Sequence, residues 1–530
     1  MSTLEFDVLI RKGTLVDGTG AAGRRADLGI VGDRIAEIGD LALASGRLEV
    51  DATGEVVAPG FIDTHTHSDL AWSLGSEFEH VAAAGVRQGV TTEICGNCGF
   101  SPFPHVPGHR ADMEDHLRTL FGDGEVGWRD LDGFSEAVRS AGIMSNLAPL
   151  IGHGSLRVGV LGFEDRPPRD DELTTMKRLV VEAFDQGAFG LSTGLIYMPG
   201  VFARTEELID LARAVRGYGR PYVSHIRGET DMVRESVEEA IRIGIEAGVP
   251  THISHHKVAG KANWGRSEET LQLIADSRGM GVDVTVDVYP YTAGSTLLYA
   301  MLPRWAQEGG VARMLERLED RAIRDRIKAD FEVGPPGWEN LQKAAGWDGI
   351  VIATCPGRPE LEGHSVSELA SGAEADFVFD LLLEQHGRVT MIVHLMGEQD
   401  VRRVLGFEDS MIGSDGIPLP GKPHPRWAGT FARVLGQYSR QQRLFDLPTA
   451  IHKMTGLAAG RFGLKDRGVL ERGKVADVVV FDPSTIIDRA TFEDPLQPPS
   501  GVRHVFVAGT RVVHNGDLTG ARPGRVLTAS

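Results

Sequence analysis

The segment Pro59-Gly60-Phe61-Ile62-Asp63-Thr64-His65-Thr66-His67-Ser68-Asp69 constrains this chain more than any other. An apolar run, Val56-Val57-Ala58, leads into it, Pro-Gly punctuates it, and two histidines one residue apart close it. On an extended strand, residues i and i+2 face the same side, so His65 and His67 present their imidazoles together. Two imidazoles side by side at a strand end can grip one divalent cation. A surface pair of this kind commonly binds nothing. A pair closing a buried apolar strand is a stronger sign of a metal site.

The middle of the chain, about 59 to 465, repeats one unit of apolar strand, polar loop, helix and glycine. Strands are expected at Val90–Cys95, Ser145–His153, Ala188–Thr193, Pro221–His225, Pro250–His255, Val284–Tyr289 and Ser410–Asp415. Between them lie helical patterns. Over Glu172–Gln186, Leu173, Met176, Leu179, Val180, Ala183 and Phe184 share one helical face. Gly89, Gly142, Gly187, Gly219, Gly248 and Gly281 fall between a helix and the next strand, where C-terminal caps need positive φ. With the histidine strand the count reaches eight, which predicts an α/β chain built on a (β/α)8 TIM-like barrel.

A length of 530 residues leaves room for more than the barrel. Residues 27–31 and 34–39 alternate about Gly32-Asp33 like a hairpin. Val475–Asp482 and Val502–His514 answer them from the other end, the second with a tight turn at Ala508-Gly509. Residues 1–58 plus 466–530 therefore predict a small β-sandwich domain built from both termini, around a barrel spanning 59–465. From about 297 to 388 the alternation breaks. Residues 304–336 are charged and helical, and a second stretch runs through 338–387. That is too long for a bare loop and predicts an insertion after strand seven, a candidate lid.

Charge and composition exclude some partners. A formal net charge of -19 disfavours a nucleic-acid duplex or an anionic membrane surface. No apolar run is long enough to span a bilayer. Three cysteines imply no disulfide framework. Met1–Asp7 carries neither the basic nor the apolar region of a secretion signal, so a reducing, cytoplasmic setting is expected.

Reactive groups in such barrels come from the C-terminal strand ends. Here those ends carry His65, His67, Cys98, His225, His255 and Asp415, which are metal-ligand types plus a carboxylate. Each has a plainer reading. His225 could be a core histidine, Asp415 a turn or cap residue, and Cys98 an inert buried thiol. Cys95 and Cys98 form a CxxC, but a structural zinc site would need a second pair, and a redox pair would open a helix. Gly96-Asn97-Cys98-Gly99 reads as a loop whose glycines let backbone approach a metal, with Cys95 packing in the strand. His256 points away from His255 by strand alternation. His153, His252 and His394 also lie near strand ends without a role the sequence fixes.

The succession HxH, GNCG, SHIRGE, ISHHK, DVYPY and GSDG resembles the N-acyl-D-amino acid deacylases of the amidohydrolase superfamily, over nearly the whole chain. The resemblance implies a metal-bearing barrel with a two-part β-domain. It implies that Cys98, His225 and His255 hold a tight zinc ion, and that His65 and His67 form a second, weaker position within reach of Asp415. Asp415 would be the general base and acid. Tyr197, Lys257, Tyr289, Ser295 and Arg426 would line the substrate site. Leu191-Ser-Thr-Gly194 carries no lysine for a carbamylated bridge, which agrees with Cys98 in that place. The expected activity is zinc-dependent hydrolysis of a small N-acyl-D-amino acid, with Arg426 offering a planar fork to its carboxylate. Another amide, such as a cyclic amide, a dipeptide or an amide-linked toxin, is the alternative substrate class. A barrel that only binds a ligand is the non-enzymatic alternative.

Overall fold

Between the glycines that end its helices, the chain lays down short strands buried on both faces, as a parallel sheet covered by helices requires. The computed structural model describes residues 5–122, 126–335 and 337–529. The barrel strands are β1 (Phe61–Asp63), β2 (Val90–Cys95), β3 (Asn146–Pro149, resumed at Ile151–Gly152) and β4 (Leu191–Gly194). They continue as β5 (Tyr222–His225), β6 (Thr251–Ile253), β7 (Val284–Val288) and β8 (Ser410–Ile412). All pair in parallel. β3 breaks at Leu150, whose N–H bonds the Cys95 carbonyl at 2.9 Å, while Ile151 N–H turns to Gly190 at 3.0 Å. The ring closes where Thr64 N–H reaches the Ile412 carbonyl at 3.4 Å and Thr66 bridges Gly416. The six glycines expected to cap helices have φ between 64° and 100°.

Ile62, Ile94, Ala148, Leu150, Phe189, Val223 and Met411 fill the barrel interior. Leu527 packs with them. Residues near the C-terminus, grouped by sequence with the β-domain, pair here with the barrel floor. Leu527 N–H bonds Leu147 at 2.7 Å and Ala529 N–H bonds Gly187 at 2.9 Å.

The two termini share one nine-stranded sheet, in which Val478–Phe481 pairs with both Val56–Pro59 and Val502–Val507. Its strands fold over a common core of Val8, Ile10, Leu28, Ile30, Val50, Val57, Val478 and Phe506. The strand Val56–Pro59 passes straight into β1 through Gly60. A Cβ there would lie 2.2 Å from Thr91 Oγ1, so only glycine lets the two sheets run on so closely. The insertion is more than helices. Ala293–Leu297, Ile350–Thr354 and Thr390–His394 form an antiparallel sheet, with helices between them. It therefore begins and ends a few residues outside the 297–388 span that charge and helical pattern outline. Among the described residues, no helix is long and apolar enough to cross a membrane.

Leu527→Ala should destabilise the protein by about 2–5 kcal/mol, the usual cost of a buried leucine truncation. A lowered urea midpoint with zinc content unchanged would show that the tail supports the barrel and not the metal site.

Candidate metal centre

The strand ends position six donors by backbone turns. His65 N–H bonds Asp63 Oδ1 at 3.2 Å, and His67 N–H bonds the Gly416 carbonyl at 2.9 Å. This keeps both imidazoles facing the mouth. Three donors sit in left-handed backbone, Cys98 (φ 52°), His255 (φ 35°) and Asp415 (φ 52°). Such conformations cost a non-glycine residue about 1–3 kcal/mol each and cluster at functional sites. The turn at Cys98 follows Gly96 (φ 76°) and is pressed by β4, since a Cβ on Gly194 would lie 2.1 Å from the Cys98 carbonyl oxygen. The turn at His255 is held by its N–H on Asp287 Oδ1 at 2.5 Å, and that at Asp415 by its N–H on the His65 carbonyl at 2.8 Å.

Cys98 Sγ lies 3.4 Å from His65 Nε2, 3.6 Å from His225 Nδ1 and 3.6 Å from His255 Nε2. Asp415 Oδ1 lies 3.5 Å from His65 Nε2 and 3.3 Å from His67 Nε2. Two tetrahedral zinc ligands at bond lengths of about 2.3 Å (S) and 2.0–2.1 Å (N) stand about 3.6 Å apart. The spacing therefore fits ligands of a shared ion. Three overlapping trios, His65–His67–Cys98, Cys98–His225–His255 and His65–His255–Asp415, each offer three such atoms. All six residues are buried.

Electrostatics agree with a cation here. Burial pulls the His65 and His225 imidazoles well below their ordinary range, toward the neutral form a metal needs. Burial, with Asp415 and Glu229 nearby, pushes the Cys98 thiol well up. A cation at its sulfur would reverse that and stabilise the thiolate. Burial alone would raise the Asp415 carboxyl. Arg426 Nη1 at 2.8 Å from Oδ2, with His255, His67 and His65, holds it well below the usual carboxylate range.

The residues expected from the resemblance to line the substrate site meet different donors: Arg426 meets Asp415, Tyr197 meets His225 and Lys257 meets His255. Arg426 Nη2 donates to the Ser295 carbonyl at 3.1 Å, and its guanidinium stacks 4.6 Å over the Tyr289 ring. Arg426 Nε and Tyr289 Oη are buried with no hydrogen-bond partner among the described residues. The Tyr197 ring packs edge-on at 5.1 Å against His225, and its Oη accepts from Thr296 at 2.9 Å. Lys257 is not open to the mouth. Its Nζ lies 2.6 Å from Glu229 Oε1 and 2.6 Å from His255 Nδ1.

The other histidines have structural partners. His256 Nε2 meets Thr270 at 2.8 Å on the helix side, and His153 Nε2 meets Glu207 at 2.9 Å. His394, at the end of its strand, packs on Phe492. His252 Nε2 meets Asp287 Oδ2 at 2.7 Å. Burial would raise Asp287, but His252, His65 and His255 hold it at about 2. Sequence reasoning passed over Asp287 and Glu229. The sign of Asp287 was a carboxylate inside the apolar run Val284–Val288. Glu229 sat unassigned in Ser224–Glu229.

Residues 48–513 match the amidohydrolase family. The chain is 40% identical over 522 residues to D-aminoacylase of Alcaligenes xylosoxydans xylosoxydans, spanning 98% of this chain and 97% of that protein. Its fold matches a D-aminoacylase with a binuclear metal centre, studied for one-metal activation and second-metal attenuation, at a TM-score of 0.84. Identity there is 39%, over 99% of this chain and 100% of that one. It also matches N-acyl-D-glutamate deacylase from Bordetella bronchiseptica, complexed with zinc and a phosphonate mimic of the tetrahedral intermediate, at a TM-score of 0.84. Identity is 37%, over 99% and 100% of the two chains.

Cys98→Ala should fold yet lose its metal, because the sulfur belongs to two of the three trios. Metal analysis should fall from about one tightly held zinc per chain to less than about a tenth.

Proposed function

This chain belongs to the amidohydrolase family, and from that premise we propose that it is a zinc-dependent deacylase. It hydrolyses the amide bond of N-acyl-D-amino acids to a carboxylate and a free D-amino acid. The observation that carries the reading is the position of Asp415. One oxygen lies 3.5 Å from His65 and 3.3 Å from His67, and the other is held by Arg426 at 2.8 Å, beside Cys98, His225 and His255.

Cys98, His225 and His255 would hold zinc, with His65 and His67 for a weaker second ion; bound there, the metal would supply a Lewis acid that lowers the pKa of a water from 15.7 toward about 7. The protein supplies the proton path. Asp415 begins ionised, because Arg426 and the histidines hold its pKa down. It takes the proton of the attacking water as a C–O bond forms at the amide carbon. It then delivers that proton to the nitrogen as the C–N bond breaks, giving an amine that leaves readily. The balance is one water consumed, one amide bond broken and one acid and one amine formed.

The unpartnered Arg426 Nε and Tyr289 Oη are donors suited to the substrate carboxylate, with Ser295 beside them. Tyr197 closes the wall next to His225. Lys257 contributes from behind, through Glu229 and His255. Next to His67, Leu70, Leu74, Leu120, Phe121 and Pro418 form an apolar wall. Arg426 and Lys257 each already face a carboxylate, so among the described residues a second anionic group on the substrate has no spare cation beside these donors.

Asp415→Asn should retain zinc and lower kcat by about 10²–10⁴-fold; unchanged turnover would remove Asp415 from the reaction. On a panel of N-acetyl amino acids, the D-enantiomers of methionine and leucine should be cleaved faster than their L-forms and faster than N-acetyl-D-glutamate. Arg426→Ala should raise KM for all of them and also lower kcat, since it frees Asp415.

A further inference from the structure

One carboxylate close to this centre has no part in the chemistry above. Glu339 comes from the insertion and is buried. Both its oxygens lie 3.1 Å from Glu229 N, and Oε2 also accepts from Thr230 Oγ1 at 3.0 Å and Thr230 N at 3.4 Å. These amides belong to the loop after β5, the strand that ends in His225. The Glu229 side chain turns the other way. Its Oε1 accepts from Lys257 Nζ at 2.6 Å, lies 3.2 Å from His255 Nδ1 and 3.9 Å from His225 Nε2. Two carboxylates, one from the insertion and one from the barrel, thus meet on a single stretch of backbone.

We propose that Glu339 is a positioning residue of the metal centre: it clamps the backbone of residues 229–230, which aims the Glu229 carboxylate at the far side of the His255 and His225 rings. The proposal rests on the reading that those two histidines hold zinc. A carboxylate on the nitrogen remote from a metal fixes the tautomer and orientation of the imidazole, and removing it commonly costs 10–100-fold in metal affinity. Glu229 can do this only while its own peptide is fixed. The loop carries Gly228, which places little restriction on its backbone. The barrel holds this peptide by the Ala259 N–H on the Glu229 carbonyl at 2.7 Å, and the remaining restraint comes from outside it, from three donors gathered on Glu339. A cavity of 630 Å³, walled by Arg227, Lys261, Trp338, Asn340 and Lys343, lies on the outer side of Glu339. On that side, packing from neighbouring side chains does not replace the clamp. The insertion thereby sets how firmly zinc is held.

The test uses full-length zinc-loaded protein and follows transfer of zinc to a chromogenic chelator, with far-UV dichroism and thermal unfolding recorded alongside. Glu339→Gln should release zinc about ten-fold faster than wild type with its secondary structure intact, and Glu339→Asp should recover part of the difference. Thr230→Ala, which removes one donor to Glu339 without touching the insertion, should also accelerate release. If either Glu339→Gln or Thr230→Ala folds and releases zinc at the wild-type rate, Glu339 only docks the insertion and the proposal falls. Should Glu339→Gln fail to fold, Thr230→Ala decides alone. A wild-type protein without bound zinc, or a His225→Ala variant that keeps it, would overturn the metal reading itself and the proposal with it.

Discussion

Lone pairs buried 3.3–3.6 Å from one another repel unless a proton or a metal cation stands among them, and this chain buries six such donor groups at one barrel mouth. Much of the architecture serves to hold that cluster together. Eight strands must close so that donors separated by up to 350 positions in sequence share one rim. Three of the donors are kept in left-handed backbone, together costing several kcal/mol. Each turn is fastened by the barrel itself: His255 by the side chain of Asp287 on β7, Asp415 by the carbonyl of His65, and Cys98 by the close approach of β4. Such strain persists where the surrounding structure over-determines the conformation. The small β-domain contributes by feeding β1 directly from one of its own strands through Gly60, so the first two histidines leave a segment anchored at both ends.

The insertion reaches this centre from two sides. The Ser295 carbonyl, on its first strand, holds Arg426, which in turn holds Asp415. Glu339, on its far side, meets the loop that carries Glu229. The Asp415 carboxylate and the histidines thus depend on residues outside the eight-stranded scaffold. An activity built this way can be tuned by changing the insertion without altering any metal ligand.

How much of this was legible beforehand depended on the kind of signal. Strand and helix order were legible because the apolar period changes between 2 and 3.6 residues and glycines mark the turns. The donors stood out because His65, His67, Cys98, His225, His255 and Asp415 all fall where strands stop. Groups that act through a partner did not stand out. Glu229 becomes significant only through its distance to His255, and Glu339 only through backbone amides 110 and 109 positions away. Lys257 could be placed near the site but not assigned to Glu229, since an ammonium carries no mark of which carboxylate it will meet. The antiparallel sheet of the insertion was hidden by its helices' charge. Its strands pair with one another, and two of them fall at the edges of the charged stretch. The return of the C-terminal tail to the barrel floor rests on Leu527 and a few backbone bonds, which no periodicity announces.

Charge balance links these parts. The groups touching the donor cluster include Asp287 and Glu229, both held ionised by their partners, and Asp415, held so by Arg426 and the histidines. Burial pushes the Asp63 carboxyl well above its usual range, against the N–H groups of Ser414 and His65 that bond its oxygen. With Cys98 as thiolate the cluster carries four negative charges, and Lys257 and Arg426 return two. Buried groups tolerate little net charge, and a divalent cation among the donors offsets the excess of anions. A monovalent ion would leave an excess, and a protonated thiol would surrender the ligand that two of the three donor trios share. The same balance explains why Arg426 is paired so tightly with Asp415. Without it burial would push Asp415 toward protonation, and the proposed base could not accept a proton. In the proposed reaction, metal affinity and proton transfer therefore share one set of neighbours, and a change to Arg426 alters both.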